Sequence, residues 1–278
     1  MTERTADLHL HTHYSDGTWT PTEVVQRAVA HGLSAIAVTD HDTVASFAEV
    51  HEAAQHAHLE CIPGVEVSTQ IGSLDVHVLA YFVDVTDAAF QAWLTELAAA
   101  RLRRLDEMLR RLGTAGVPLA KEVVLALAGP GTIGRLHVAR ALVQQGMVPD
   151  VNTAFHRYLS SERPAYVPDA HPTPEEAIQR LRAARGVPVL AHPQYLKDEA
   201  LVPSLVRAGI AGLEVYHPSH DVGQQARYRR IAEEHGLVMT GGSDCHGTAK
   251  GQPLIGSVKL PYTYVEELRR CHAQICAA

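Results

Sequence analysis

Cysteine is scarce in this 278-residue sequence: Cys61, Cys245, Cys271 and Cys276 form no CxxC pair and no even spacing. That excludes a disulfide framework and a zinc ribbon, and leaves reduced thiols better suited to packing than to nucleophilic attack. No long apolar run is present, so no membrane span or membrane partner is expected. The opening MTERTAD lacks the basic and apolar regions of a secretory signal, which makes a cytoplasmic location the expectation. Positive charge is in deficit, and the formal net charge of -7 argues against a broad footprint on duplex DNA. A short strand held end-on in a charged pocket is still compatible with it. There is no GxSxG elbow and no Walker loop, and Gly241-Gly242 reads as a strand-end turn. Internal repeats and low-complexity tracts are missing too, and nothing points to an obligate protein partner.

Histidine, by contrast, is abundant: there are eighteen, many of them beside aspartate or glutamate. The stretch DLHLHTHYSDG, from Asp7 to Gly17, concentrates three histidines and two aspartates. In an extended strand side chains alternate faces, so His9 and His11 point the same way and can bind one cation together. Asp7 shares that face, whereas Asp16 lies beyond the strand in a turn that Gly17 allows to be tight. One histidine there would be surface composition, but HxH followed by aspartate is a ligand set for a divalent metal.

Further along, strand and helix alternate. Thr20, Pro21 and Glu23 read as N-cap, first-turn proline and capping-box glutamate of a helix that Gly32 stops. LSAIAVT is a buried strand ending at Asp40-His41, and a helix is expected from about Asp42 to His58. Strands carrying Glu66 and His77 follow. Thr173, Pro174 and Glu176 open a later helix, and three further strands lead to His192, to His217 and to Ser243-Asp244-Cys245-His246. About seven strands result, which predicts an α/β fold with a mainly parallel, closed or nearly closed sheet. The His, Asp and Glu residues fall at the C-terminal ends of strands, where barrels of this kind place their function. Between the fourth and fifth strands the alternation stops. Phe90, Trp93, Leu94, Leu97, Leu102, Leu105, Met108, Leu109 and Leu112 predict one long amphipathic helix ended by Gly113 and Gly116, then two or three shorter ones. Residues 88–165 thus read as a helical insertion into a barrel formed by 1–87 and 166–278.

With HxH, Asp40-His41, Glu66, His77, His192 and the terminal SDCH in order, the chain resembles the polymerase-and-histidinol-phosphatase (PHP) family of the amidohydrolase superfamily. The resemblance covers residues 7 to about 247. It implies a distorted (β/α)7 barrel, TIM-like, and up to three divalent metals that hydrolyse phosphate esters. Carried over by motif, the first metal takes His9, His11, Glu66 and Asp244. The second shares Glu66 and adds His77 and His192, and the third takes Asp16, His41 and His246. Mixed imidazole and carboxylate suits manganese, iron or zinc better than magnesium. His13 is given no ligand role, and Asp40 is expected to orient its neighbours. Glu66, Asp244 and His217 are the expected catalytic residues.

Substrate choice is expected to reside in the insertion, where GTIGRLHVARAL puts Arg135 and His137 after a glycine-rich turn near a helix start. On spacing alone a solvated face for Arg135 and a capping role for His137 are equally good readings. The stretch resembles the GRxHxA of a PHP subgroup acting on nucleoside 3',5'-bisphosphates and short RNA ends. Tyr166, His217, Ser219 and His220 are candidates to complete the pocket. The expected activity is removal of the 3'-phosphate from a nucleoside 3',5'-bisphosphate, with trimming of short RNA from its 5' end or histidinol phosphate hydrolysis as variants. The alternative of another class is a non-catalytic metal-binding module, which should have lost ligands. None of the matched ligand positions is lost here.

Overall fold

A computed structural model describes residues 4–72, 74–168, 171–196 and 201–277. Strands β1 (Thr5–Leu10), β2 (Ala35–Val38) and β3 (Glu60–Ile71) are joined by helices α1 (Pro21–Ala30) and α2 (Phe47–His56). β4 (Leu74–Tyr81) follows β3 directly as a hairpin arm, while β5 (Val187–Leu190), β6 (Gly212–Tyr216) and β7 (Val238–Gly241) come after the insertion. Helices α7 (Pro174–Ala183), α8 (Val202–Ala208) and α9 (Val222–His235) precede β5, β6 and β7, and an eighth strand, β8 (Leu260–Pro261), pairs antiparallel with β1 and leads into a C-terminal helix, α10 (Tyr262–Ala277). The order in the sheet is β7-β6-β5-β4-β3-β2-β1-β8. A parallel bridge between Leu10 and Cys245, with His11 N–H donating to the Cys245 carbonyl at 3.0 Å, brings the far ends together into a nearly closed barrel. Gly242 permits this closure: a Cβ there would lie 2.3 Å from the His9 nitrogen.

Strands β1 and β2 are almost wholly buried because both of their faces are covered, which is why β2 reads as an unbroken apolar run and why the polar Asp7 and His9 of β1 stand out. Leu8, Ile62, Leu79, Tyr81 and Val189 pack together with Val265 and Leu268 of α10. Outside, Val24, Val25 and Ala28 of α1 meet Ile36, Val50 and Ala54. The capping boxes expected at Thr20/Glu23 and Thr173/Glu176 both form. No helix among the described residues is long and apolar enough to cross a membrane.

Three expectations are corrected. The sheet has eight strands, since a two-residue strand carries no detectable period. β4 runs antiparallel to β3 and β5, so His77 reaches the shared end of the barrel from the first half of its strand. And α2 begins at Phe47, five residues later than the spacing suggests, because Asp42 adopts a positive φ of 53° that no helix accepts.

Between β4 and β5 stands α3 (Ala88–Thr114), capped by Asp87, then α4 (Lys121–Ala128), α5 (Arg135–Gln144) and α6 (Val151–Ala154), which a π-helical turn at Phe155–Leu159 continues. Leu105, Met108, Leu112, Val124, Leu142 and Leu159 form a core of their own. Polar contacts fasten this part to the barrel. Arg101 of α3, buried at an apolar phase of the helix, donates from Nε to Asp42 Oδ2 at 2.6 Å, from Nη2 to Ser68 Oγ at 2.8 Å and from Nη1 to the Ile133 carbonyl at 3.0 Å. Thr132 donates its hydroxyl to the His41 carbonyl at 2.7 Å and its N–H to the Tyr14 carbonyl at 2.9 Å. Arg101→Met should leave the Asp42 carboxylate buried without its counter-charge, at a cost of about 3 to 5 kcal/mol in chemical denaturation. Adding Asp42→Asn, which removes the charge but keeps an acceptor for the Ser68 N–H and tolerates the positive φ, should recover part of that loss, and an equal or larger loss in the double variant would contradict the pairing.

Candidate metal centre

Glu66 lies in the middle of β3 with its side chain wholly buried, where an unpaired carboxylate would be untenable. Its Oε1 is 2.8 Å from His77 Nδ1 and 3.0 Å from His192 Nε2. Its Oε2 is 3.1 Å from the Nε2 of both His9 and His11, and 3.3 Å from His41 Nδ1. Asp244, just past β7, turns Oδ1 to His11 Nε2 at 3.2 Å and His9 Nε2 at 3.4 Å. Asp16 Oδ1 is 3.1 Å from His246 Nε2 and 3.9 Å from His41 Nε2. The barrel's register thus collects residues from six separate stretches into one cluster.

Among the described residues, three overlapping groups offer ligand atoms that all lie within 4.8 Å of one another: His9, His11, Glu66 and Asp244; His11, Asp16, His41 and His246; and His41, Glu66 and His77. The first is the set expected for one metal, and the second adds His11 to the expected third. In the remaining group His41 stands where His192 was expected, although His192 still touches Glu66. Several buried atoms of the cluster have no hydrogen-bond partner: His11 Nε2, His41 Nδ1, His246 Nε2, Asp16 Oδ1 and His217 Nε2. Orphaned lone pairs of this kind, pooled with carboxylates, fit divalent cations.

Electrostatics agree. Burial alone would raise Glu66 and Asp244, but His41, His9 and His77 around the first, and Lys250 and His246 near the second, hold both well below the usual carboxylate range. Burial would lower His9 and His11. The carboxylates of Glu214, Glu66 and Asp244 outweigh it, holding His9 well above its ordinary value and His11 up at about 9. His192 and His246 are lowered, chiefly by burial, and so is His41, well below its usual value. The raised His9 and His11 rings favour protons that offset the buried carboxylates, the charge balance a divalent cation would supply.

The supporting shell was partly legible. Asp40 accepts from Thr12 N–H at 2.7 Å, Thr12 Oγ1 at 2.7 Å, Ser15 Oγ at 2.6 Å and Ser46 Oγ at 2.5 Å, which pins the loop after β1. Asp7 is buried, accepting on Oδ1 from Ser243 N–H at 2.8 Å and His9 N–H at 3.3 Å, and burial pushes it up to about 6. Sequence reasoning missed Glu214. Its Oε1 is 2.9 Å from His9 Nδ1 and its Oε2 accepts from His192 N–H at 2.7 Å, so it fixes one ring and one backbone at once. The signal was there: a glutamate amid the apolar strand IAGLEVY has no reason to be buried without partners. His192 and Asp244 have φ of 24° and 48°, a region costly for residues with a Cβ.

A cavity of about 710 Å³ opens beside the cluster, lined by Asp16, His41, His77, Arg101, Arg135 and Phe155 among others. A second, of about 580 Å³, shares His41, His77, Arg135 and Phe155 and adds Glu66, His192 and Asp244. Of the residues expected to read substrate, Arg135 lines both. It pairs with Asp75 Oδ2 at 2.6 Å. His137 lines neither, and its buried Nδ1 accepts from Gly134 N–H at 3.1 Å, so the capping role is the one it fills. Burial brings it down to about 4. Tyr166 is buried, with its hydroxyl accepting from Gln70 at 3.2 Å. Ser219 bonds His217 Nδ1, and His220 Nδ1 donates to the Val215 carbonyl at 2.9 Å, so both support the loop behind His217 and line neither cavity. His217 itself points Nε2 towards Asp244 Oδ2, at 3.7 Å.

A model of the PHP domain family matches residues 7–131. Over 256 residues the chain is 35% identical to the 3',5'-nucleoside bisphosphate phosphatase of Chromobacterium violaceum, covering 90% of each protein. It is 36% identical over 245 residues to a 5'-3' exoribonuclease of Haemophilus influenzae, covering 86% of this chain and 89% of that one. The solved structure of a Bifidobacterium adolescentis protein assigned as a metal-dependent phosphoesterase matches at a TM-score of 0.88 and 34% identity, over 96% of both chains.

Two outcomes are expected. Because the proton on His11 competes with a cation, apparent metal affinity should rise with pH towards about 9, and binding near neutrality should release protons, readable by calorimetry in buffers of different ionisation enthalpy. Flat affinity from pH 6 to 9 would contradict this. Glu214→Gln should weaken metal binding by about ten- to a hundredfold in a chelator competition while leaving the fold intact; unchanged affinity would leave Glu214 without a supporting role.

Proposed function

This chain belongs to the PHP domain family and is a metal-dependent phosphoesterase, and we propose that it removes the 3'-phosphate from nucleoside 3',5'-bisphosphates, with short RNA bearing a 5'-phosphate as a second substrate. The observation that carries this reading is the continuity of the cavity. One space of about 710 Å³ is lined at once by Asp16, His41 and His77 of the cluster, by Arg135 and by the apolar side chains of Leu136, Val143, Val151 and Phe155. Its size suits a nucleotide, and it offers one end for a reacting phosphate, a cation for a second one and an apolar wall for a base. The similarity to the Chromobacterium violaceum phosphatase supports the same substrate class.

His9, His11, Glu66 and Asp244 would hold one ion, with Asp16, His41, His246, His77 and His192 available for up to two more; manganese, iron or zinc fits so many imidazoles. When bound there, divalent ions supply Lewis acidity towards phosphoryl oxygens and acidify water. The chain's own groups do the rest. Glu66 and Asp244 fix the charge of the centre, and Glu214 keeps the His9 ring from turning. His217, steered by Ser219 on one nitrogen, presents Nε2 at the reacting end. Arg135, released from Asp75, clamps the phosphate that stays on the product.

Phosphate release should be tested across a bisphosphate, a mononucleotide, short 5'-phosphorylated RNA, histidinol phosphate and p-nitrophenyl phosphate, with manganese supplied. The bisphosphate should give the highest kcat/KM, and Glu66→Ala should abolish turnover on every substrate while bound metal falls. Arg135→Ala should keep its metal and lose about tenfold to a hundredfold in kcat/KM on the bisphosphate. p-Nitrophenyl phosphate, which has no second phosphate, should lose far less. An equal loss on both would move Arg135 to the reacting phosphate, and no loss on either would return it to the Asp75 ion pair alone.

A further inference from the structure

Besides Arg135, Lys250 is the one non-histidine cation lining both cavities among the described residues. It sits in the segment after the SDCH motif, which its own backbone holds in place. Ala249 N–H donates to the His246 carbonyl at 3.3 Å, Gly251 N–H to the Thr248 carbonyl at 3.3 Å, and Thr248 N–H to Thr18 Oγ1 at 2.9 Å. The Lys250 side chain is half-exposed, and its Nζ lies 3.4 Å from Asp244 Oδ2.

The choice of partner sets this lysine apart from the arginines of the cleft. Arg101 is held by Asp42 and Arg135 by Asp75, carboxylates that belong to none of the ligand groups. Lys250 is held by Asp244, which does belong to one. The two oxygens of Asp244 divide the work: Oδ1 faces His9 and His11, and Oδ2 faces Lys250 and His217. An ammonium carried on the outer oxygen of a ligand carboxylate, on a long stem open to the cleft, lines both cavities beside the cluster, within reach of a phosphoryl group bound there.

We propose that Lys250 contacts the phosphoryl group being cleaved, neutralising oxygen charge at the reacting end, while Arg135 serves the far phosphate. This rests on the reading of the site as a phosphoesterase centre. It assigns the two cations to opposite ends of one substrate. Lysine suits the reacting end, because a point charge on a flexible stem can follow oxygens that move as the P–O bond breaks, whereas the planar guanidinium suits a phosphate that stays intact.

The test compares Lys250→Met and Lys250→Arg with the wild type, all loaded with manganese. Kinetics on a nucleoside bisphosphate and on p-nitrophenyl phosphate are read together with bound metal and with the dissociation constant of inorganic phosphate. Lys250→Met should lose about tenfold to a hundredfold in kcat/KM on both esters, since both present a reacting phosphate. Phosphate should bind correspondingly more weakly, metal content should hold, and Lys250→Arg should recover part of the loss. Near-normal hydrolysis of p-nitrophenyl phosphate by Lys250→Met would overturn the proposal. So would a loss cured completely by excess manganese, which would make Lys250 only a prop for Asp244. If the wild type hydrolyses neither ester, the phosphoesterase reading fails, and the phosphate dissociation constants alone decide on Lys250.

Discussion

A buried glutamate cannot stand alone in a barrel core, and the geometry of this site follows from that. Glu66 meets five imidazoles within 3.3 Å, drawn from β1, from the loop after β2, from β4 and from the end of β5. His9 and His11 need the carboxylates in turn, because a lone buried imidazolium is as costly as a lone carboxylate. The cluster is stable only as an ensemble of opposite charges, and its spare lone pairs leave it suited to trade protons for divalent cations. A site built this way can be made by any fold that brings strand ends together, and the nearly closed sheet does so through the Leu10–Cys245 bridge and the bare Gly242.

Much of this was legible in the residues. HxH on a strand, aspartate and histidine at later strand ends, and the capping boxes at Thr20 and Thr173 are local patterns with local causes, and they survive folding unchanged. What sequence spacing hid were relations across the chain. The antiparallel course of β4 is invisible because a buried strand reads the same in both directions. Asp42, with its positive φ, is held through its carboxylate by Ser68 and Arg101, twenty-six and fifty-nine residues away. His137 looked like a substrate group because its neighbours are glycine and arginine, yet its ring turns inward to cap its own helix. Glu214 and Arg101 are charges at apolar phases of a strand and a helix, and each exists to satisfy a partner that only the tertiary structure reveals.

The insertion is more than a wall of the cleft. Its residues 131 and 132 lie against the two loops that carry Asp16 and His41: a Cβ on Gly131 would come within 2.6 Å of the His13 carbonyl, and Thr132 bonds the His41 carbonyl directly. Arg101 ties α3 to Ser68, two residues from Glu66. The helical segment and the ligand cluster are therefore mechanically joined, and whatever shifts that segment on the barrel also shifts the loops that carry Asp16 and His41.

The β3–β4 hairpin pairs Ser68 with His77 and Gln70 with Asp75, and Glu66 with Leu79. Glu66 and Ser68 on one arm, and Asp75 and His77 on the other, keep to a spacing of two, so the metal centre and the Arg135 anchor depend on a shared parity. An insertion or deletion of one residue inside either paired arm between Glu66 and His77 would send one of them to the opposite face, whereas two residues would restore the phase. Length variation here should therefore come in even steps. A hairpin that obeys the rule can grow outward and reshape the rim of the cleft without disturbing the ions at its base.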